Sequence, residues 1–285
     1  MIPASFDYVK PSSIEEAVRV YAAAGEDAKI LAGGQSLLPI LRLRLAYPEL
    51  VVDLGGIAEL TGVRDDGDGI VIGAMTTHAD IVGDELVKRH APLIAQATET
   101  VADRQVRHRG TFGGSLAHAD PAGDLPAVAL ALDAELRVHG PNGQRSIAAR
   151  DFFLDYLTTA MQPGEILTSI RVPKLGEGWS THYEKINRVA QAWSIVAVAA
   201  AVHRSDGVIT EARIGLTNMG STPLRASATE RALAGAPATA ESVASASGSA
   251  AEGTSAPSDL SAKADYREHL VTVLTKRAVQ HAAGI

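Results

Sequence analysis

Between Ser12 and Gly25 the apolar residues Ile14, Ala17, Val18, Tyr21 and Ala22 recur at helical spacing. The preceding Ser12-Ser13-Ile14-Glu15-Glu16 offers cap hydroxyls and first-turn acids, so the pattern predicts a helix that stops at Gly25. Lys29-Ile30-Leu31 reads as a short buried strand running into Ala32-Gly33-Gly34-Gln35-Ser36, after which Leu37 to Leu45 reads as a helix with Arg42 and Arg44 outward. Leu50 to Leu54 and Gly69 to Ala74 read as strands, and His78 to His90 and Pro92 to Asp103 as helices. Arg104 to Arg109 leads into a second glycine segment, Gly110 to Ser115, followed by a helix over Leu125 to Leu132. Glu135 to His139 and Arg145 to Ile147 flank the turn Gly140-Pro141-Asn142-Gly143 as a hairpin, and a strand within Gly164 to Pro173 closes this half of the chain.

Turn formers between Pro173 and Gly178 mark a boundary. Beyond it, Trp179 to Asn187, Trp193 to His203 and Val208 to Thr217 predict three strands of a small antiparallel sheet, the last two joined by Ser205-Asp206-Gly207. Ala236 to Ser261 is mostly Ala, Ser, Gly, Thr and Pro, which predicts a loose surface connection. Tyr266, Leu270, Val273, Leu274 and Val279 place a terminal helix over Ala264 to Ala283.

Composition narrows the function more than the fold. With 285 residues, 46% of them hydrophobic and 21% charged, the chain is long enough for two globular domains. A net charge of −7 leaves no basic block to displace counterions, which argues against a nucleic-acid partner. The N-terminus lacks a basic stretch followed by an apolar one, and no apolar run reaches the roughly 18 residues of a membrane span, so a cytoplasmic protein without a transmembrane segment is expected. The chain has no cysteine. Disulfides, thiolate nucleophiles and cysteine-held iron–sulfur clusters are thereby removed, and any relay through such clusters belongs to another chain.

Candidate chemistry concentrates at Gly33-Gly34 and Gly113-Gly114, each followed by a small polar residue and a leucine. Paired glycines let a backbone approach an anion closely, and successive N–H groups in such turns form a nest for phosphate oxygens. Ser36, Thr111 and Ser115 add hydroxyls, and the helix expected after Ser36 would turn its positive end to the same anion. A single glycine pair is more often a tight turn, and neither segment fits G-x-G-x-x-G; two such loops can grip one diphosphate from both sides. His118, Asp120 and Asp124 lack a repeated metal-ligand spacing and sit beside Pro121, so they read as a turn rather than a metal site. Arg104, Arg107 and Arg109 read as a solvated face or, less simply, as a subunit or cofactor contact; Trp179 and Trp193 read as packing residues.

The segments Ala32-Gly33-Gly34-Gln35-Ser36-Leu37-Leu38-Pro39 and Thr111-Phe112-Gly113-Gly114-Ser115-Leu116-Ala117-His118-Ala119-Asp120-Pro121-Ala122-Gly123-Asp124-Leu125-Pro126 resemble the two FAD signatures of the molybdenum hydroxylase flavoprotein subunits. The likeness continues through Met75-Thr76-Thr77-His78-Ala79-Asp80, Pro163-Gly164-Glu165-Ile166-Leu167, Tyr183-Glu184-Lys185-Ile186-Asn187-Arg188, Pro257-Ser258-Asp259-Leu260 and Tyr266-Arg267. Within the xanthine dehydrogenase and aerobic carbon monoxide dehydrogenase family, the medium subunits of the carbon monoxide type are the most similar.

The resemblance implies an α+β chain: a vanillyl-alcohol-oxidase (PCMH)-type FAD-binding domain over 1–176, with subdomains of about 1–56 and 57–176, then a smaller α+β domain over 177–285 with a three-stranded antiparallel sheet. It implies that Ala32, Gly33, Gly34, Gln35 and Ser36, with Thr77 and with Thr111, Phe112, Gly113, Gly114 and Ser115, hold the FAD diphosphate and ribityl. Asp124 then accepts from FAD hydroxyls, while Leu167, Lys185 and Trp193 touch the ring system. Gln35 stands where a histidine is expected, Ser115 where an acidic or amide residue is, and Trp193 where the carbon monoxide enzymes carry a tyrosine. No catalytic residue and no metal ligand is implied in this chain. The molybdenum cofactor would lie in a large subunit and the [2Fe-2S] clusters in a small one, assembled as a dimer of heterotrimers. Electrons would pass from the clusters through FAD to an external acceptor such as a quinone, with carbon monoxide and water giving carbon dioxide at the molybdenum. A hydroxylase for an aldehyde, purine or N-heterocycle remains an alternative, as does a stand-alone FAD-dependent oxidase. A phosphate-binding module without redox function would need only one of the glycine loops.

Overall fold

The computed structural model describes residues 2–285, and three sheets organise them. In the first, β1 (Asp7–Val9), β3 (Leu50–Asp53) and β2 (Ala28–Leu31) pair in parallel, with β3 central. Its crossover is α1 (Ile14–Ala24), which starts where Ser13 Oγ accepts from the Glu16 N–H. The helix predicted for Leu37 to Leu45 is shorter, α2 (Leu37–Arg42), and Arg44 beyond it has φ 57°.

The second sheet has five antiparallel strands in the order β4 (Val63–Asp66), β5 (Gly69–Gly73), β10 (Ile166–Pro173), β6 (Glu135–Gly140), β7 (Gly143–Ala148). Every residue of β5 is buried, as its unbroken apolar run requires. Between β5 and β6 the chain forms α3 (His78–Gly83), α4 (Glu85–His90), α5 (Pro92–Glu99), α6 (Arg104–Arg107), α7 (Phe112–His118) and α8 (Asp124–Ala131), of which α4 and α7 pack on this sheet, while the one-turn α9 (Ala149–Phe152) and the small hairpin β8 (Phe153–Asp155) and β9 (Thr158–Thr159) follow at its β7 edge. The single helix expected over His78 to His90 is broken at Asp84, which adopts an extended conformation and caps the next helix by accepting from the Leu86 and Val87 N–H groups.

The three strands expected in the C-terminal part are present as β11 (Trp179–Ile186), β12 (Val196–Ser205) and β13 (Val208–Thr217), widened by the two-residue strands β14 (Leu224–Arg225) and β15 (Ala236–Pro237). Strand β12 begins three residues after Trp193, which lies in the preceding loop. Its alternation serves two cores: Ala197, Ala199 and Ala201 join the core beneath α5 and α8, while Val196, Val198, Ala200 and Val202 face the terminal helix α12 (Ala264–Ala283). Helix α8 is buried along its whole length, and a Cβ on Gly215 of β13 would overlap the Ala127 carbonyl, so glycine there sets how closely sheet and helix approach.

Ala236 to Ser261 is not a loose connection. After α10 (Ser227–Leu233), Thr239 caps α11 (Ala240–Ser247), and Val243, Ala246, Ser247 and Ala250 are buried against the C-terminal core. Alanine is the best helix former and costs little side-chain entropy, so a composition that resembles a linker packs once a larger surface is offered.

Candidate functional site

Where the first two sheets meet, a cleft of about 440 Å³ is lined by Lys10, Ala32, Gly33, Asp53 to Ala58, Thr61, Met75, Thr77, His108, Arg109 and Thr111. Its walls come from three strand ends and the turn before α7. Ala32 and Gly33 follow β2, Leu54 to Gly56 follow β3, and Thr77 pairs with Thr111 across an isolated bridge.

The first glycine segment keeps its donors. The N–H groups of Gly33, Gly34, Gln35 and Ser36 donate to no acceptor among the described residues, while the Gln35 side chain folds back to the Gly33 carbonyl at 3.1 Å. Gly34 has φ 75°, the left-handed conformation that turns successive N–H groups the same way. Helix α2 begins just after, although Ser36 forms no side-chain cap.

The second segment differs from its reading as a turn. Gly113 and Gly114 lie inside the first turn of α7, capped by Thr111, whose Oγ1 accepts from the Gly114 N–H at 3.2 Å. The Phe112 N–H donates to Thr76 O at 3.0 Å and the Gly113 N–H to Ala74 O at 2.9 Å, so this turn has no nest of free N–H groups. Its glycines serve close packing instead. A Cβ on Gly113 would stand 2.5 Å from that of Ala74, and one on Gly114 would stand 2.6 Å from Thr111 Oγ1 and 3.3 Å from Ala32 Cβ. A Cβ on Gly33 would overlap the Arg109 carbonyl. The two segments are thus packed against each other, with the Thr111 backbone and side chain at the cleft wall.

Asp124, at the start of α8, lies elsewhere and is 6% exposed. Its Oδ1 accepts from the Tyr183 hydroxyl and from Ser194 Oγ, each at 2.7 Å, and its Oδ2 accepts from Lys185 Nζ, also at 2.7 Å. Lys185 Nζ donates further to the Thr100 carbonyl at 3.1 Å. The helix start favours the carboxylate. Burial pushes the Tyr183 hydroxyl well above its usual pKa, and the adjacent Asp124 charge adds to that. Sequence reading singled out Asp124 and Lys185 as separate contacts to FAD; the structure brings them together as a buried ion pair. Leu167 is a buried core residue of β10. Trp193 is 53% exposed, its ring 6.4 Å from that of His118 at the end of α7. None of these four lines the cleft.

Phe112 is fully buried, and Ser115 lies in α7 one turn behind the cap. Of the three arginines, Arg107 donates to the Val101 and Ala102 carbonyls, Arg109 lines the cleft and Arg104 is exposed. Sequence reading missed Lys10, Asp53, Gly55, Gly56 and His108 at the cleft, and Tyr183 and Ser194 at the ion pair. Asp53-Leu54-Gly55-Gly56 carried a legible signal, since it repeats the pattern of a strand followed by a glycine pair.

The arrangement suits a dinucleotide diphosphate: free N–H groups on one lip, a hydroxyl on the other, and Lys10 and Arg109 in the wall. Comparison with known proteins gives the same direction. Residues 4–175 match the family model described as the FAD binding domain in molybdopterin dehydrogenase, and residues 181–282 match the CO dehydrogenase flavoprotein C-terminal domain. The carbon monoxide dehydrogenase medium chain of Afipia carboxidovorans is 41% identical over 99% of this chain and 98% of its own length. The glyceraldehyde dehydrogenase medium chain of Sulfolobus acidocaldarius is 35% identical over 99% of this chain and 100% of its own length. Among solved structures, a carbon monoxide dehydrogenase from Hydrogenophaga pseudoflava that lacks the Mo-pyranopterin moiety superposes with a TM-score of 0.96 and 42% identity, covering 100% of this chain and 99% of that one. The chain belongs to the FAD-binding medium subunits of the molybdenum hydroxylases, oxidoreductase components that carry FAD beside separate large and small subunits.

Proposed function

We propose that this chain is the FAD-carrying subunit of an aerobic carbon monoxide dehydrogenase, passing electrons from the clusters of a small subunit to an external acceptor such as a quinone. The observation that carries the cofactor site is the row of free N–H groups that starts at Gly33, in the cleft wall, and continues through Gly34 and Gln35 to Ser36 just beyond it. Those groups, with Ser36 and Thr111 Oγ1, hold the diphosphate. Thr77, Gln35 and Ser115 flank it, and the glycines at 33, 34, 113 and 114, with Ala32 and Phe112, let the two segments close around it. Leu167, Lys185 and Trp193 border the ring system, with Asp124 holding Lys185 in place. FAD supplies a carrier that takes electrons singly or in pairs; the protein supplies binding, orientation and electrostatics.

The division at residue 176 into an FAD-binding part, itself of two subdomains meeting near 56, and a C-terminal part belongs to the same proposal, as does assembly into a dimer of heterotrimers on the cytoplasmic side. No described helix is long and apolar enough to cross a membrane. Carbon monoxide is favoured over an aldehyde by the higher identity to the medium chain from Afipia carboxidovorans. Substrate oxidation belongs to the large subunit, so the isolated chain is expected to be inactive toward carbon monoxide. The test is to express the chain with its neighbouring subunits and record the visible spectrum, the flavin released on denaturation and the reduction of a quinone under carbon monoxide. Flavin bands with carbon-monoxide-dependent reduction support the reading. A folded chain that takes up no FAD overturns the cofactor assignment, and flavin reduced by an aldehyde but not by carbon monoxide overturns the substrate.

A further inference from the structure

Residues 187–195, which join β11 to β12 and carry Trp193, are held from several sides. Arg188 Nη2 donates to the Ser261 carbonyl at 2.8 Å and to Leu260 O at 3.4 Å. The Gln191 side chain donates to Asp103 Oδ2, and Ser194 Oγ donates to Asp124. At the far end, Arg267 Nη1 donates to the Ile195 carbonyl, and Asn218 Nδ2 reaches Ser194 O at 2.7 Å. Arg267 is fully buried in α12, and its Nη2 is paired with Asp259 Oδ2 at 2.7 Å. Asp259 is itself fixed, its Oδ1 accepting from the Ser261 and Ala262 N–H groups. The segment 259–267 therefore touches both ends of the loop.

A buried guanidinium whose Nε has no hydrogen-bond partner is poor value as a source of stability, because apolar residues of similar volume do as well or better. What the pair adds is geometry. We propose that Asp259, Arg267 and Arg188 are positioning residues for the site: they clasp the 187–195 loop at both ends and fix the half-exposed Trp193 beside α7, so that the last helix of the chain sets how closely this indole approaches the flavin. The loop placement stands on the contacts above; the flavin half rests on the cofactor reading under Proposed function.

The test uses the full-length chain carrying Trp179→Phe, which leaves Trp193 as the single indole. Asp259→Asn weakens the pair between the half-exposed carboxylate and the buried guanidinium, and Arg188→Ala releases the other end of the loop, so that one variant survives if the other folds poorly. In the FAD-free chain, acrylamide quenching of Trp193 is expected to rise about twofold in each variant, with the far-ultraviolet spectrum unchanged. Unchanged quenching in both overturns the clasp, whether or not FAD binds. With FAD added, quenching of Trp193 emission by the flavin is expected to fall by half or more while flavin content per chain stays at the parent value. Arg267→Lys, which keeps one donor, is expected to retain part of that quenching. Normal flavin content with parental quenching in the variants overturns the proposed effect on flavin approach. Failure of the parent chain to take up FAD counts against the cofactor reading alone, because the FAD-free measurement still judges the clasp.

Discussion

The two glycine segments look alike in sequence and do opposite things with their polar groups. Residues 33–36 leave four backbone donors unused, beginning with Gly33 in the cleft wall. Residues 111–124 spend theirs inside the protein: the α7 amides on Thr76, Ala74 and Thr111, and the Asp124 carboxylate on Tyr183, Ser194 and Lys185. Unsatisfied donors prepare a surface for a ligand; satisfied ones build the wall behind it. The same residue type serves the first by its positive φ and the second by the absence of a Cβ, so a glycine pair alone does not say which function it has.

The contrast breaks most visibly at the closed region. Lys185→Met strands a buried carboxylate and is expected to lower unfolding free energy by about 3–5 kcal/mol in urea titrations; adding Asp124→Leu should restore most of it, as replacing a whole buried pair often does. His78, whose backbone N–H donates to Gly110 O at 2.9 Å, sits between the two behaviours. Burial, helped by the Arg107 charge, lowers its pKa from 6.5 to about 4. The unfolded chain therefore binds a proton near pH 6.5 that the folded chain refuses until about pH 4, so this contribution is complete above pH 6.5 and fades as the pH falls through that window. The loss reaches roughly 3 kcal/mol. It is measured as the difference between the parent and His78→Gln across pH, which removes the carboxylate background; parallel curves would contradict it.

A matched pair of glycine substitutions separates wall from lip. Gly113→Val is expected to cost about 3 kcal/mol of stability through overlap with Ala74, and to weaken FAD binding by the remaining folded chain less than Gly34→Ala does. Gly34→Ala is expected to cost about 1–2 kcal/mol for the left-handed conformation and to weaken FAD binding about tenfold in a flavin titration of the folded chain. Equal effects of the two on affinity would erase the distinction. The smallest change is Thr111→Ala, which removes a cap worth about 1 kcal/mol, whereas Thr111→Ser should keep both cap and melting temperature.

Most elements were readable because their signals are local. The apolar run Gly69 to Gly73, the capped α1 and the heptad-like spacing in α12 each announce themselves within one window. Helix α7 did not, because its start depends on carbonyls at Ala74 and Thr76 that a reader of residues 110–118 cannot see. The buried packing of 236–261 was hidden for a similar reason: small residues advertise no core of their own. At the site, Ala32, Gly33, Thr77 and Thr111 stood out through the family likeness, and all four line the cleft. Lys10 and His108 bear no motif and arrive there only through folding. Tyr183 and Ser194 meet Asp124 from 59 and 70 residues away, contacts that no pattern within a single segment reveals.

Helix α8, buried along its length between the third sheet and helices α5 and α7, has a consequence for how the molecule comes apart. The third sheet cannot be lifted from α8 without exposing apolar surface on the helix and on β12 and β13. The proposed boundary at residue 176 is thus a division of the message rather than of the mechanics. Amides of α8 and of β12 should exchange with solvent only through the same global opening, and a polypeptide cut at that boundary would have two fragments that need each other to become folded.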